Sequence, residues 1–477
     1  MEELKRKIIK TDDEAKNGQT KCPKCGATDI SLNLKTGKLK CNFCRHEFSA
    51  QKFDVMEKNI EKLEGETIGS GATDILKDSK NIITLKCTSC GAEVVIDTAS
   101  VTQARCHWCR NTLSINEQIS NGAVPDTILP FSISKEDAKS EIEKFVKKRK
   151  FFANPRFKKE FSTDNIMGVY FPYMIVDVNG HSTLQGQGEH ETRRYTVKRG
   201  DRSETYYDAD LYDVEREFDI TIKGLTVESS KDKFDYKNKT NNIINSIMPF
   251  DTENCVKWDA NYIKGYTSEK RDINIGELRP LVQEQCKDIT RYTANSTLKY
   301  YDRGVRWDLE KLDIKGDQWT SAYLPVWLYS YLEKKNNKNL LHYVAVNART
   351  KETMGSVPVH MPKLFFISAV VELLGIIATC ILNMIFNLMD ADERPWWPYL
   401  LLLLGFVYFG ITYEKYRNKN ARHYHEKETK SEIRDMKKVD NLIDHRKKIR
   451  ESTIQGANNT MVNGRIGKSV MQNILNK

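Results

Sequence analysis

The sequence predicts an α+β chain in three parts: two small four-cysteine ribbons, a duplicated strand-rich α+β domain, and a C-terminal two-helix transmembrane hairpin. Three observations carry that reading. Eight of the eleven cysteines fall into two groups of one spacing, Cys22, Cys25, Cys41 and Cys44, then Cys87, Cys90, Cys106 and Cys109. Past Asn165 the chain turns strand-like, and a Tyr-x-Pro segment occurs twice, at Tyr170 to Pro172 and Tyr323 to Pro325. Finally, Leu364 to Tyr413 holds two apolar runs around a short acidic loop, each long enough to cross a hydrocarbon core of about 30 Å as a helix.

At 477 residues the chain has room for two or three domains. Lys and Arg (75) exceed Asp and Glu (65) by ten, a mild excess that fits a cytosolic protein near an anionic surface, lipid or nucleic acid. The first nineteen residues are charged and lack the apolar core of a secretory signal. Cysteines paired as CxxC in such a chain point to metal in a reducing compartment rather than to disulfides. Cys255, Cys286 and Cys380 are scattered and show no pairing pattern.

In order, residues 1–20 form a polar tail and 21–50 the first ribbon. A tetrahedral zinc ion takes four thiolates at about 2.3 Å, and each CxxC turn offers two of them. Fifteen residues separate the two turns of each group, Gly26 and Gly91 suit a backbone that must turn back, and the intervening stretches alternate like short strands. The same logic applies to the second ribbon, 81–120, so two zinc ions are expected, one per ribbon. All four positions are cysteine, which leaves no open position for a catalytic water. The ribbons then read as structural clips that present a binding surface, or as nucleic-acid contacts through Lys21, Lys24, Lys35, Lys38, Lys40 and Arg45, with Trp108 stacking on a base. His46 and His107 lie beside the knuckles and read as bystanders. The linker, 51–80, contains Gly69-Ser-Gly71, which reads as a flexible joint.

The strand-rich domain spans 121–360. Lys135 onward reads as an amphipathic helix capped by Ser134, and the segment around Gly200-Asp201 as a hairpin turn. The two Tyr-x-Pro segments read as equivalent strands, each preceded by a Pro-Phe signature, Ile128 to Phe131 and Ile247 to Phe250. Proline inside a strand points to an edge or a bulge. After Tyr323 the pattern is a three-stranded meander with turns at 336–339 and 347–351. His181, His190, His342 and His360 have no nucleophile or carboxylate in a recognisable arrangement, and no HExxH, GxGxxG or Ser/His/Asp order is present. Gly467-Lys-Ser469 resembles the end of a P-loop, but Val462 stands where its first glycine belongs.

The hairpin spans 361–413. Trp396, Trp397 and Tyr399 open its second helix at headgroup level, the loop from Asp390 to Pro395 is acidic, and Lys415, Arg417, Lys419 and Arg422 follow. The positive-inside rule then places the loop outside and both termini in the cytoplasm. Glu372 falls near mid-bilayer, where a carboxylate must be protonated or paired, and Tyr408 lies at a matching depth. The remainder, 414–477, reads as a basic cytoplasmic helix and tail, helical from Glu414 to Glu451.

This order of parts, together with GSGATDI, LKCTSCGAEVVID, YFPYMIVD, YLPVWLYSY and HYVAVNARTKETMGSVPV, resembles bacterial membrane-anchored proteins labelled TFIIB-type zinc ribbon-containing proteins. The resemblance covers roughly residues 20 to 413. It implies a partner of membrane-stress systems of the phage-shock and SPFH kind, which recruits peripheral proteins to the membrane. A helicase label attached to some of these proteins does not carry over, because the chain has no Walker motif. The expectation is a non-enzymatic, two-span scaffold at the cytoplasmic face with zinc in both ribbons and protein partners. The alternative is a membrane-tethered nucleic-acid binder using the basic ribbons.

Overall fold

The structure, a computed structural model, describes residues 6–9, 21–49 except 28 and 35, 52–53, 59–74, 82–86, 93–97, 118–120, 125–199, 202–230, 245–388 except 264, 270, 272, 336 and 337, 396–417 and 423–450. Strand β1 (Arg6–Ile9) precedes the ribbon strands β2 (Ile30–Asn33), β3 (Lys38–Cys41) and β4 (Glu47–Phe48). Then come β5 (Gly65–Gly69), β6 (Ile82–Lys86), β7 (Glu93–Asp97), β8 (Gln118–Ser120) and β9 (Thr127–Ile128), followed by helices α1 (Lys135–Lys147) and α2 (Pro155–Glu160). Two very long strands follow, β10 (Met167–Arg199) and β11 (Arg202–Glu228), then β12 (Val256–Lys257), β13 (Thr267–Glu269), α3 (Ile275–Ala294), β14 (Val305–Lys335), β15 (Lys338–Asn347) and β16 (Thr353–Gly355). The chain closes with α4 (Met361–Leu388), α5 (Leu404–Arg417), the single turn α6 (His425–Glu428) and β17 (Lys430–Arg450). Among the described residues β2, β3 and β4 make a separate small sheet, and the other strands join one mixed sheet.

The sheet is centred on two interlocked stretches with one order of elements, β9–α1–β10–β11 and β13–α3–β14–β15. Each helix starts eight residues after the first residue of its strand, Thr127 to Lys135 and Thr267 to Ile275. Ser134 caps α1 by accepting from the Asp137 N–H at 3.1 Å, and Ala138, Ile142, Phe145 and Val146 form its buried stripe. In α3 that stripe is Leu278, Val282, Cys286 and Ile289. Each short strand pairs in parallel with the other stretch's long strand, β9 with β14 and β13 with β10. The long strands pair antiparallel with Tyr170 opposite Pro325, Phe171 opposite Leu324 and Pro172 opposite Tyr323, a register symmetric about the middle pair.

The two prolines therefore hold equivalent places, in the centre of the sheet rather than at its edge. Pro172 lies where the outer neighbour of β10 changes from β13 to β11, and Pro325 where that of β14 changes from β9 to β15. No ladder donor is needed in either gap, and each proline carbonyl accepts one loop N–H at 3.1 Å, from Ser229 and from Ala348. The Pro-Phe signatures are not equivalent. Ile128 ends β9, whereas the carbonyls of Ile247 and Pro249 accept from the Asn347 side chain at 2.9 and 3.0 Å. The structural counterpart of β9 is β13, which carries no Pro-Phe.

The Gly-Ser-Gly linker is no flexible joint. Asp126 accepts from the N–H of Gly71 at 2.7 Å and of Ser321 at 2.8 Å, while Arg271 donates to the carbonyls of Gly71, Ala72 and Thr73. A Cβ on Gly69 would sit 2.4 Å from the Asp126 carboxylate, so glycine is required there by close approach.

The tail departs most from expectation. Among the described residues, the helix foreseen from Glu414 to Glu451 is helical only to Arg417 and in the turn α6. Lys430–Arg450 is a strand, β17, paired antiparallel with β11. Its apolar residues Ile433 and Met436 lie three apart, a helical spacing. A bulge puts both on the core side: Asp435 has φ +50°, and Phe218 of β11 faces two residues between the Asp219–Arg434 and Glu217–Lys437 pairs.

Candidate metal centre and membrane anchor

The first ribbon brings its four cysteines together. Their sulfurs all lie within 4.8 Å of one another, with Cys22 to Cys44 at 3.5 Å and Cys25 to Cys41 at 3.6 Å. The two knuckles repeat one backbone pattern. The N–H of Gly26 donates to Cys22 O at 2.8 Å and that of Arg45 to Cys41 O at 2.9 Å, with both donors at positive φ. The N–H groups of Cys22 and Cys41 donate in turn to Ala27 O and His46 O. β2 and β3 hold the knuckles in register, Ile30 opposite Cys41, and bury Ile30 and Leu39 against the core that includes Phe131 and Trp327.

The donor set fits zinc. A tetrahedron with metal–sulfur bonds of about 2.3 Å has edges near 3.8 Å, close to the observed contacts. Burial pushes the Cys22 thiol up, but the N–H groups of Cys25 and Lys24 and the neighbouring sulfurs bring it down to about 7. At Cys25 the Ala27 N–H pulls the other way, yet burial and three facing sulfurs push the thiol up to about 12. Sulfurs this close can all ionise only around a cation. A bound zinc ion would supply folding energy that so small a module cannot get from its own core. His46 stacks on Phe48 at 6.2 Å and is not a ligand, and Phe43, at the tip of the second knuckle, is 82% exposed.

Cys87, Cys90, Cys106, Cys109, His107 and Trp108 lie outside the described residues. The flanking strands are described: β6 and β7 pair antiparallel down to Lys86 opposite Glu93, β8 adds to β6, and β7 joins β13 of the main sheet. Only the first four-cysteine cluster is placed by the structure, and two expected zinc ions become one supported site. Of the basic ribbon residues, Lys21, Lys24, Lys38 and Arg45 are exposed, Lys40 is half-buried, and Lys35 lies outside the described residues.

The anchor consists of two apolar segments, Met361–Asn387 with mean hydropathy 2.5 and Trp397–Arg417 with 1.2. Only 22% and 17% of their most apolar windows are buried, the reverse of a soluble core helix. Phe365, Phe366, Leu374, Phe406 and Ile411 point outward. The protein is membrane-anchored by this hairpin. Because β17 pairs with β11, the described strands before Met361 and after Arg417 lie on one side of the hairpin, as two spans require. The loop residues 389–395 lie outside the described set.

Inside the hairpin, Glu372 accepts from the Gly405 N–H at 2.7 Å, one turn from the Tyr408 hydroxyl foreseen as its partner. Tyr408 instead packs on Phe152 below the span, ring centroids 6.4 Å apart. The close crossing depends on small residues. A Cβ on Gly375 would meet Leu401 O at 2.3 Å, and one on Gly405 would meet Ser368 O at 2.5 Å. Thr379 Oγ1 bridges Gly375 O at 2.9 Å and Pro398 O at 3.0 Å. Residues 397–403 wind as a 3-10 helix before α5 begins.

A cavity of about 360 Å³ opens over the sheet, lined by Asp177, Lys223, Cys255, Thr320, His423 and Glu428 among others. Its thiol is inert, since burial pushes Cys255 up to about 12. His423 pairs with Glu428 at 2.5 Å rather than with a nucleophile, and Asp177 is occupied by the Gly224 N–H and the Gln318 amide. His190 donates from Nδ1 to Tyr300 O, and His342 lies between Ser356 and Glu333. Reading the sequence missed the Asp126–Arg271 clamp, whose members are about 145 residues apart, and the exposure of Phe43. For Phe43 the signal was available: an aromatic between two zinc-binding cysteines cannot turn inward.

The chain is similar to Uncharacterized protein YdjG of Bacillus subtilis (strain 168), 25% identical over 348 residues that cover 72% of this chain and 91% of that protein. No family model matches the chain, and no solved structure matches it.

Proposed function

We propose that the protein is a non-enzymatic membrane scaffold that holds a zinc ribbon at the cytoplasmic face and recruits protein partners there. One observation carries the reading: a closed four-thiolate site displays Phe43 to solvent while its ribbon is packed onto a body fixed to the membrane hairpin. A closed site has no vacancy for a substrate, and a large exposed aromatic on a rigid turn is the kind of side chain that anchors interfaces. The cytoplasmic orientation of both ends is supported by the acidic loop at Asp390 to Pro395 and by Lys415 and Arg417 after the second span. We read the interlocked halves as two copies of one unit, the second ribbon as a second zinc site, and the partners as membrane-stress proteins of the phage-shock or SPFH kind, the last on the resemblance in sequence. Proximity labelling in cells, comparing the intact chain with one lacking residues 361–477, tests this. Membrane-associated proteins should be labelled by the intact chain and lost with the truncated one, and identical labelling by both would refute the scaffold role.

A further inference from the structure

We propose that the segment joining α1 to α2 forms, with the ends of the two spans, a preformed binding surface for anionic phospholipid headgroups. α1 ends in Lys147, Lys148, Arg149 and Lys150, followed by Phe151 and Phe152. More than two hundred residues separate this run from the hairpin, yet the fold sets it against both span ends. The Phe152 N–H donates to the Tyr416 hydroxyl at 3.0 Å, the His360 N–H donates to Phe152 O at 2.7 Å, and Arg149 Nε donates to Lys415 O at 3.1 Å. Lys363, on the first turn of α4, donates to Phe151 O at 3.0 Å with its ammonium 3.6 Å from the Phe151 ring centre.

The result is a ring of cations at the level where the chain enters the bilayer. Lys158 of α2 extends it, its ammonium 3.5 Å from Phe151 O, and Lys159 follows it on the same helix. Among the described residues none of these cations forms an ion pair, while the nearby acids Glu141 and Glu160 are taken by Lys144 and Arg156. The charges repel one another: burial and then the neighbouring Lys363 and Lys150 pull Lys158 below its ordinary value. A fold that collects unpaired cations at a span entrance, instead of spreading them, gains stability only when an anion arrives. Phe151 identifies the anion's setting. It is 58% exposed, and Phe365 and Phe366 on the next span residues are 59% and 68% exposed. A ring at that depth enters the acyl boundary while the lysines reach back to phosphate, as amphipathic side chains do at an interface.

The test rests on α4 and α5 being spans and separates that from the collar. The full chain and a variant with Lys147, Lys148, Lys150 and Lys159 each changed to Gln are reconstituted in phosphatidylcholine vesicles with phosphatidylglycerol as the minor lipid. They are then extracted gently, and the retained lipid is weighed by native mass spectrometry. The wild type should retain phosphatidylglycerol above its bulk share, the variant should lose that enrichment by at least about threefold, and the corresponding Lys→Arg variant should keep it. Equal retention by wild type and the Gln variant overturns the proposal, as does binding of a single-stranded oligonucleotide through the same lysines without lipid enrichment. Carbonate extraction of the same vesicles distinguishes failures: release of the chain refutes the anchor, while a retained chain with unchanged lipid refutes the collar alone.

Discussion

The two interlocked halves share an order of elements and a register, but they differ in the cations near the ends of their helices. In the half led by α3, arginines are stitched to the sheet. Arg279 bridges Asp317 at 2.9 Å and Glu66, Arg291 takes Glu310 and Asp288, and Arg271 caps three carbonyls of the linker. In the half led by α1, the cations past its last turn stand unpaired at the foot of the membrane hairpin. The arginines of one half serve cohesion, while the unpaired cations of the other are proposed to meet an outside partner. The difference teaches that charge content does not distinguish a stabilising helix from a binding one; the pairing of each charge does.

The largest effect should come from breaking the cohesive half. Arg279→Ala strands the buried carboxylate of Asp317 and leaves Glu66 to Arg6 alone, and removing one member of such a cluster costs about 3–5 kcal/mol. A denaturation series in detergent should show that loss, and a shift within about 0.5 kcal/mol would mean that the pairing is not what holds this half. Gly405→Ala comes next. Its Cβ would press on Ser368 O and on the Glu372 side chain, so the spans must separate at a cost of about 1–3 kcal/mol, read as a lower melting temperature in micelles.

A pH series extends the comparison to an ion pair just outside both halves, between the segment before β12 and the turn after β15. Burial pushes the Asp251 carboxyl up, but hydrogen bonds and charge from Arg349 and Asn254 hold it below the ordinary carboxylate range. An acid held low adds stability above its unfolded value and loses it as pH falls through the folded one. Asp251→Asn should therefore destabilise the protein at about pH 7 and make little difference near about pH 2. The smallest effect on stability is expected in the α1 half. Changing Lys147, Lys148, Lys150 and Lys159 to Gln should shift the unfolding free energy by less than about 0.5 kcal/mol, since no partner is lost. A large drop there would erase the contrast between the halves.

Much of this organisation was legible in the sequence where the signal is local. The CxxC spacing located the first metal centre, hydropathy located both spans, Ser134 marked the start of α1, and the hairpin at Gly200-Asp201 matches strands paired down to Arg199 and Arg202. What failed to show was decided by distant pairing. The spacing of Ile433 and Met436 is helical, and only the partner strand β11 with its bulge makes β17 a strand. Gly69-Ser-Gly71 looks flexible until Asp126 and Arg271 close on it, and Glu372 found a backbone donor, which no residue letter announces.

The scaffold reading turns on whether the exposed knuckle touches a protein. A photo-crosslinking amino acid placed at Phe43 in the full chain, irradiated in intact membranes, measures this directly. A discrete crosslinked protein is expected, lost when Cys41→Ser opens the zinc site. Crosslinks only to lipid or solvent, with the zinc site intact, would contradict a partner-binding ribbon.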